Sequence, residues 1–188
     1  MKNIDSLFSI VKMLSDNETV YTHGRRVARL ACVIAQRMGY SEEGIKHIHF
    51  AATVHDVGKI KIPEEILNKR GVLDDNEFAI MRKHPEFGYH LLKDIRPESI
   101  AVEVTLQHHE RLNGSGYPFG LRAKDINPAT RIIAVADVID TMVSPQVYRP
   151  ALGLDKVRQE IKQNSGLLYD SEVVAVSLVI LKKGEFSV

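Results

Sequence analysis

An aspartate stands inside a strongly apolar helical run, and that placement constrains the fold more than any other feature of the chain. The segment Ile132-Ile-Ala-Val-Ala-Asp137-Val-Ile-Asp140 is aliphatic apart from its two carboxylates. A buried carboxylate without a partner is costly, so the fold must bring Asp137 a cation or strong hydrogen bonds. The run from Ala129 to Val143 reads as one helix. Asp140 lies one turn along the same face. It is assigned to orienting a ligand from behind, with helix or loop hydrogen bonding as its competing role.

The remaining pattern is helical nearly throughout. Leu7, Phe8, Val11 and Leu14 fall at helix spacing, as do Val27, Leu30, Ala31, Ile34, Ala35 and Met38, with Gly39 as a stop. Ser41-Glu-Glu-Gly starts a helix running through Phe50, Ala51 and Val54, which Gly58 and Pro63 end soon after His55-Asp56. Asp75 to Lys83 follows, acidic in its first turn as the helix dipole favours; Pro85 breaks or restarts it. Glu98 to Glu110 is expected to carry His108-His109 in its last turn. Arg111 to Pro128 reads as one long loop, with Gly114, Gly116, Pro118, Gly120 and Pro128, and loops of that length are usually functional or disordered. Helices near Leu154–Gln163 and Ser171–Lys182 close the chain. The expectation is a single all-α domain over residues 1–188, a helical bundle of about seven to nine helices.

Bulk properties narrow the function classes. The net charge of +1 over 188 residues argues against a polymeric nucleic-acid partner. Cys32 is the only cysteine, which rules out a disulfide framework and a thiolate metal site and points to a reducing, cytoplasmic setting. Val173 to Leu181, an apolar late stretch, is far too short to span a bilayer, so no membrane partner is expected.

Eight histidines are the unusual item. His55-Asp56 offers a neutral nitrogen beside an anionic oxygen able to bridge two cations; a packed histidine with a capping aspartate is the competing reading. In His108-His109, neighbouring helical side chains diverge by about 100°, so two imidazoles reaching separate metals would account for the pair. One buried and one solvated histidine at a helix end is the alternative. His23 and His84 gain weight from the ensemble. Together His23, His55, Asp56, His84, His108, His109 and Asp137 form a nitrogen and oxygen donor set without sulfur, which suits iron or manganese, with zinc also compatible. His47, His49 and His90 have no such context and are left as surface or packing residues. Two metals about 3.5–4 Å apart can generate a bridging hydroxide and clamp phosphoryl oxygens. Lys59 would neutralise the developing charge, unless it is only a solvated helix-end cation.

These residues resemble the HD-GYP domain, a subgroup of the HD phosphohydrolases that hydrolyse cyclic di-GMP. The resemblance runs through His23 with Arg26-Val27-Ala28, then Ala51-Ala-Thr-Val-His55-Asp56-Val-Gly-Lys59-Ile60-Lys-Ile-Pro63 and Ile66-Leu67-Asn-Lys69. It continues in Met81-Arg-Lys-His84-Pro85-Glu-Phe-Gly88, His108-His109-Glu110-Arg111-Leu-Asn-Gly114-Ser-Gly116-Tyr117-Pro118, Arg131 to Asp140, and Tyr148-Arg149-Pro150. It implies an HD-type helical bundle whose first metal is held by His23, His55, Asp56 and Asp137. It assigns His84, His108 and His109 to the second metal, with Asp56 bridging. It also implies iron or manganese, Lys59 on the scissile phosphate, and a loop of Gly114, Gly116, Tyr117 and Pro118 flanking the nucleotide, tied down by Arg111. The implied product is pGpG, with further hydrolysis to GMP left open.

The resemblance has departures. Relatives with a third metal carry a glutamate one turn before the first histidine; Thr19 stands there, with Glu18 one residue off that face, so two metals are expected. Where relatives read like Ser-Asp-Arg-x-Tyr-Arg, this chain reads Ser144-Pro145-Gln146-Val147-Tyr148-Arg149. Gln146 lacks the charge and bidentate reach of a guanidinium, while Arg149 remains for phosphate. Another cyclic dinucleotide or nucleotide, and a catalytically weak receptor, are therefore the alternative readings. Ser171 replaces a frequent proline after Asp170, a minor cap change. A free-standing enzyme, a homodimer, a subunit under a sensor or regulatory partner, and a fragment of a longer protein all stay open.

Overall fold

Helix α1 (Glu18–Arg37) starts where the Asn17 side chain accepts the Val20 amide, and it gives way at Met38 to Gly39, whose φ is +80°. This is the first element of a computed structural model that describes residues 17–95, 99–145 and 150–184. The helix expected around Leu7 to Leu14 lies outside the described residues. Ser41 caps α2 (Glu42–Val54), and a 3₁₀ turn (Val57–Lys61) follows His55-Asp56. After the short α3 (Glu64–Leu67), Asp74 and Glu77 form a reciprocal capping box at the start of α4 (Asp75–Met81). The expected extension of α4 to Lys83 does not occur. Arg82 caps it, and α5 (His84–Lys93) restarts with Pro85 in its first turn, where a missing amide hydrogen costs nothing.

Helix α6 spans Ile100–Gln107, shorter than expected, so His108 is its C-cap and His109 lies beyond it. The segment from Arg111 to the start of the next helix is a loop, as expected, with local structure of its own. A bridge pairs Asn113 with Arg122, and a second 3₁₀ turn covers Ala123–Asp125. Asn127 then caps α7 (Pro128–Val143). Helices α8 (Leu154–Gln163) and α9 (Ser171–Lys183) match expectation, and Asp170 caps α9 through the Glu172 and Val173 amides. Nine α-helices are thus described, with only isolated bridges of β type among the described residues. The all-α expectation holds.

The core forms where α1 packs on α2 and α7, and α2 on α6, with α9 closing against α1 and α7. Leu30, Ile34, Ile48, Ile132, Ile133, Ile139 and Ile180 are all buried there, each contributing about 1.5–3 kcal/mol of transfer free energy. Two glycines set how closely the site-bearing segments approach. A Cβ on Gly24 would overlap the Thr53 carbonyl, so α1 crosses α2 tightly beside His23 and just before His55. A Cβ on Gly58 would overlap the His84 carbonyl and the Gly88 amide, so the 3₁₀ turn lies directly on α5. Gly58→Ala is therefore expected to destabilise the fold by roughly 1–3 kcal/mol, read as a lower denaturant midpoint. An unchanged midpoint would mean the turn yields freely.

Candidate metal centre

Three helix ends aim imidazoles toward Asp56. Helix C-termini leave carbonyls without intrahelical partners, and each histidine uses one three residues back. His55 Nδ1 lies 2.7 Å from the Ala52 oxygen, His84 Nδ1 2.8 Å from Met81, and His108 Nδ1 2.9 Å from Thr105. A carbonyl only accepts, so Nδ1 is the donor in all three rings and each Nε2 faces inward. The same device recurs on α2, α4 and α6.

His23 is aimed by another route. Its Nδ1 is 2.8 Å from Asp140 Oδ2, and Arg26 holds the same carboxylate by Nε–H at 2.8 Å and by a second N–H at 3.0 Å. Asp140 is fully buried and bonds to His23 on the side away from Asp56 and Asp137. His23 Nε2 then stands 3.0 Å from Asp137 Oδ1 and 3.5 Å from Asp56 Oδ2. Asp137 thus receives the partners its apolar helix demands, with Thr141 donating to it at 3.3 Å.

Asp56 faces both sides. Its Oδ2 is 3.6 Å from His55 Nε2, whereas its Oδ1 is 3.2 Å from His84 Nε2 and 3.5 Å from His108 Nε2. Two groups of candidate ligand atoms meet at this carboxylate: His23, His55 and Asp56, and Asp56, His84, His108 and His109. His108 and His109 therefore fall in one group, not one per metal. The chain leaves the helix at His108, which removes the divergence expected of neighbouring helical side chains, and the two ring centroids are 4.1 Å apart.

The residues fit a divalent cation. Nε2 of His84 and of His108 are 3.2 Å apart although both rings already donate through Nδ1. His55 Nε2 and Asp56 Oδ1 are buried without a hydrogen-bond partner. Converging acceptors with no donor among them are satisfied by a cation. Titration behaviour agrees. Burial, reinforced by His55 and His84, pulls His108 down to about 4 against the opposing Asp56, leaving its ring neutral. Burial and the neighbouring His108 and His84 likewise hold His109 well below the usual histidine range. Burial alone would raise Asp56, but Lys59 and the imidazoles keep it well below the carboxylate range. Lys59 Nζ lies 2.5 Å from Asp56 Oδ2, so the structure places this lysine at the Asp56 carboxylate.

The glycine-rich loop is fastened beside His109. Glu110, which sequence reasoning passed over, is buried, and its carboxylate accepts the Phe119 amide at 2.8 Å and the Leu121 amide at 2.9 Å. Arg111 donates to the His108 and Glu110 carbonyls at 3.2 and 2.8 Å, with its guanidinium 5.6 Å from the Tyr169 ring centroid. Gly114 has φ +83°, and Gly116 lies so close to Glu110 that no side chain fits. The Tyr117–Pro118 peptide is cis, and the Tyr117 ring stacks on His109 at 4.6 Å and 24°. Burial pushes the Tyr117 hydroxyl well above the usual tyrosine range. Gln146 and Arg149 lie outside the described residues. Glu18 and Thr19 are exposed on the first turn of α1, and His47, His49 and His90 are exposed as expected. Arg26 was legible only as part of the resemblance; its spacing of one helical turn from His23 is the signal that could have revealed its role.

Residues 9–173 match the family model described as HD domain. The chain is 41% identical to a cyclic di-GMP phosphodiesterase of Thermotoga maritima, over 95% of this chain and 50% of the relative. It is 33% identical to a 3′3′-cGAMP-specific phosphodiesterase of Vibrio cholerae, over 82% of this chain and 37% of the relative. The chain thus spans half the length of the first and less of the second. Among solved structures it resembles an HDG"Y"P protein from Bdellovibrio bacteriovorus, with a TM-score of 0.73 and 21% identity over 87% of this chain and 52% of that one. It also resembles the HD domain of the L. monocytogenes phosphodiesterase PgpH in complex with cyclic-di-AMP, with a TM-score of 0.68 and 18% identity over 94% and 95%. At these identities the solved structures share the helical fold.

Proposed function

The chain belongs to the HD domain family, and from that premise we propose that it hydrolyses a cyclic dinucleotide, cyclic di-GMP first, to pGpG and then GMP. One observation carries the reading. Asp56 presents one carboxylate oxygen to His23 and His55 and the other to His84 and His108, the arrangement of a bridge between two cations. Bound there, divalent iron or manganese supplies the Lewis acidity and the acidified water that in-line displacement needs. The protein's part is to orient and to balance charge. Carbonyls fix the rings of His55, His84 and His108, and Asp140 fixes His23. Lys59, beside Asp56 and partly exposed, faces the charge that develops on phosphate. A water oxygen bonds to phosphorus as the P–O3′ bond breaks, and the proton that the water gives up balances the one taken by the departing 3′ oxygen. Arg149, Gln146 and the loop of Gly114, Gly116, Tyr117 and Pro118 are proposed to border the nucleotide, with Arg111 holding that loop in place. A cytoplasmic setting, suggested by the lone thiol of Cys32, is part of the proposal, as is control by a sensor partner or a second copy.

A second reading, another cyclic dinucleotide as substrate, is favoured by the cGAMP-specific relative. A panel of cyclic dinucleotides incubated anaerobically with Mn(II)- or Fe(II)-loaded protein and resolved by chromatography decides between them. Cyclic di-GMP converted to pGpG is the expected result. Exclusive turnover of cGAMP would establish the second reading, and tight binding without product would replace the hydrolase by a receptor.

A further inference from the structure

Arg82 is the C-cap of α4, one residue after the Met81 carbonyl that orients His84, so its backbone is fixed at the edge of the metal centre. Its guanidinium lies 4.5 Å from the Tyr117 ring centroid and 5.9 Å from that of Phe78. Tyr117 stacks on His109, so a single aromatic ring links the guanidinium to a candidate ligand imidazole. The residue is exposed, and among the described residues its guanidinium N–H groups have no hydrogen-bond or ion-pair partner. Arg26, Arg111 and Arg131, by contrast, donate to carboxylates or carbonyls of the fold. Arg82 is thus held by aromatic rings and keeps its polar edge available.

A guanidinium presents its donors as a planar fork. Guanine offers two acceptors, O6 and N7, on one edge, while adenine offers N7 beside an amino donor that opposes the fork. Phosphate is the competing acceptor, but Lys59 already stands at the Asp56 carboxylate, whereas the Tyr117 ring separates Arg82 from the candidate ligand His109, a spacing that suits a base better than the scissile phosphate. Phe78, 49% exposed, offers an apolar face beside it for a base to stack on. We propose that Arg82, held on the Tyr117 ring, takes the O6/N7 edge of a guanine and selects guanine over adenine at the rim of the metal centre. The proposal rests on the cyclic-dinucleotide reading and names the residue that reads the base.

GMP and AMP carry the same phosphate and differ in the base, so calorimetric titration of Mn(II)-loaded protein with each isolates the contact. Wild-type protein is expected to prefer GMP by about tenfold or more, the lower range of a good bidentate pair. Arg82→Met and Arg82→Lys should each lose that preference through weaker GMP binding, with AMP held within about twofold; lysine keeps the charge but lacks the fork. Equal losses for both nucleotides would make Arg82 a phosphate contact and overturn the proposal. So would unchanged binding in the variants, or wild-type protein that binds the two nucleotides alike or binds neither. Thermal unfolding of each variant, expected to match wild type at this exposed position, separates a lost contact from a lost fold. A wild-type preference for GMP without cleavage of cyclic di-GMP would keep Arg82 and sink the hydrolase reading. Cleavage without base preference would do the reverse.

Discussion

Asp56→Ala is expected to reduce cyclic di-GMP hydrolysis by at least about a thousandfold and to lower bound manganese from about two ions per chain to one or none. Among the described residues, Asp56 alone belongs to both groups of candidate ligand atoms. Its Oδ2 looks toward His23 and His55, its Oδ1 toward His84 and His108. Removing it leaves neutral imidazole nitrogens to hold the cations, with no anion between the two ions to offset their mutual repulsion. Lys59 would also lose its counter-ion and bring positive charge to the same point. Asp56→Asn separates shape from charge, since the amide keeps the volume and one acceptor oxygen. It is expected to fold like wild type and to bind metal nearly as poorly as the alanine variant. Metal analysis after anaerobic reconstitution and chromatography of the products check both variants. Two ions per chain and full turnover in Asp56→Ala would refute the bridging role.

The parts of this site legible in the sequence are those whose chemistry conflicts with their surroundings. Asp137 declared itself because an apolar helix cannot bury a lone carboxylate, and the structure meets that demand with His23 and Thr141. Helix α7 is legible from its periodicity, which runs unbroken through Val143. The His108-His109 pair is unusual in the sequence, but the divergence expected of neighbouring helical side chains does not apply, because the helix ends at Gln107; the resemblance, which groups both histidines, matches the grouping of ligand atoms. What ends the helix is not local. The loop is anchored by Glu110 to amides at positions 119 and 121, and pairings over that separation leave no periodic trace. Arg26 and Gly58 were hidden in the same way. Each acts on a partner far along the chain, Asp140 for one and the start of α5 for the other, so their roles exist only once the helices have packed.

The affinity for the cation on the His23 side is expected to rise about tenfold per pH unit between about pH 7 and about pH 8.5, with release of about one proton. Burial lowers the pKa of His23, but the carboxylates of Asp137 and Asp140, with Asp56 beyond them, outweigh it and lift the ring to about 9. In the metal-free protein this ring is therefore a cation at neutral pH. The sign follows from that raised value. Its ion pairs stabilise the metal-free fold fully below the ordinary histidine value of 6.5 and lose that contribution as pH climbs through about 9. A metal needs the Nε2 lone pair and must expel the proton, so acidity competes directly with binding. The other group behaves differently, because His108, held at about 4, has no proton to give up at neutral pH. Calorimetric titration with Mn(II) should accordingly resolve two steps, one pH-dependent and one flat, and repeating it in buffers of different ionisation enthalpy counts the proton. Asp140→Asn removes one of the carboxylates that raise His23, so the pH-dependent step should begin to level off at lower pH. Two steps of equal pH dependence, or none with any, would show that His23 does not guard its site with a proton.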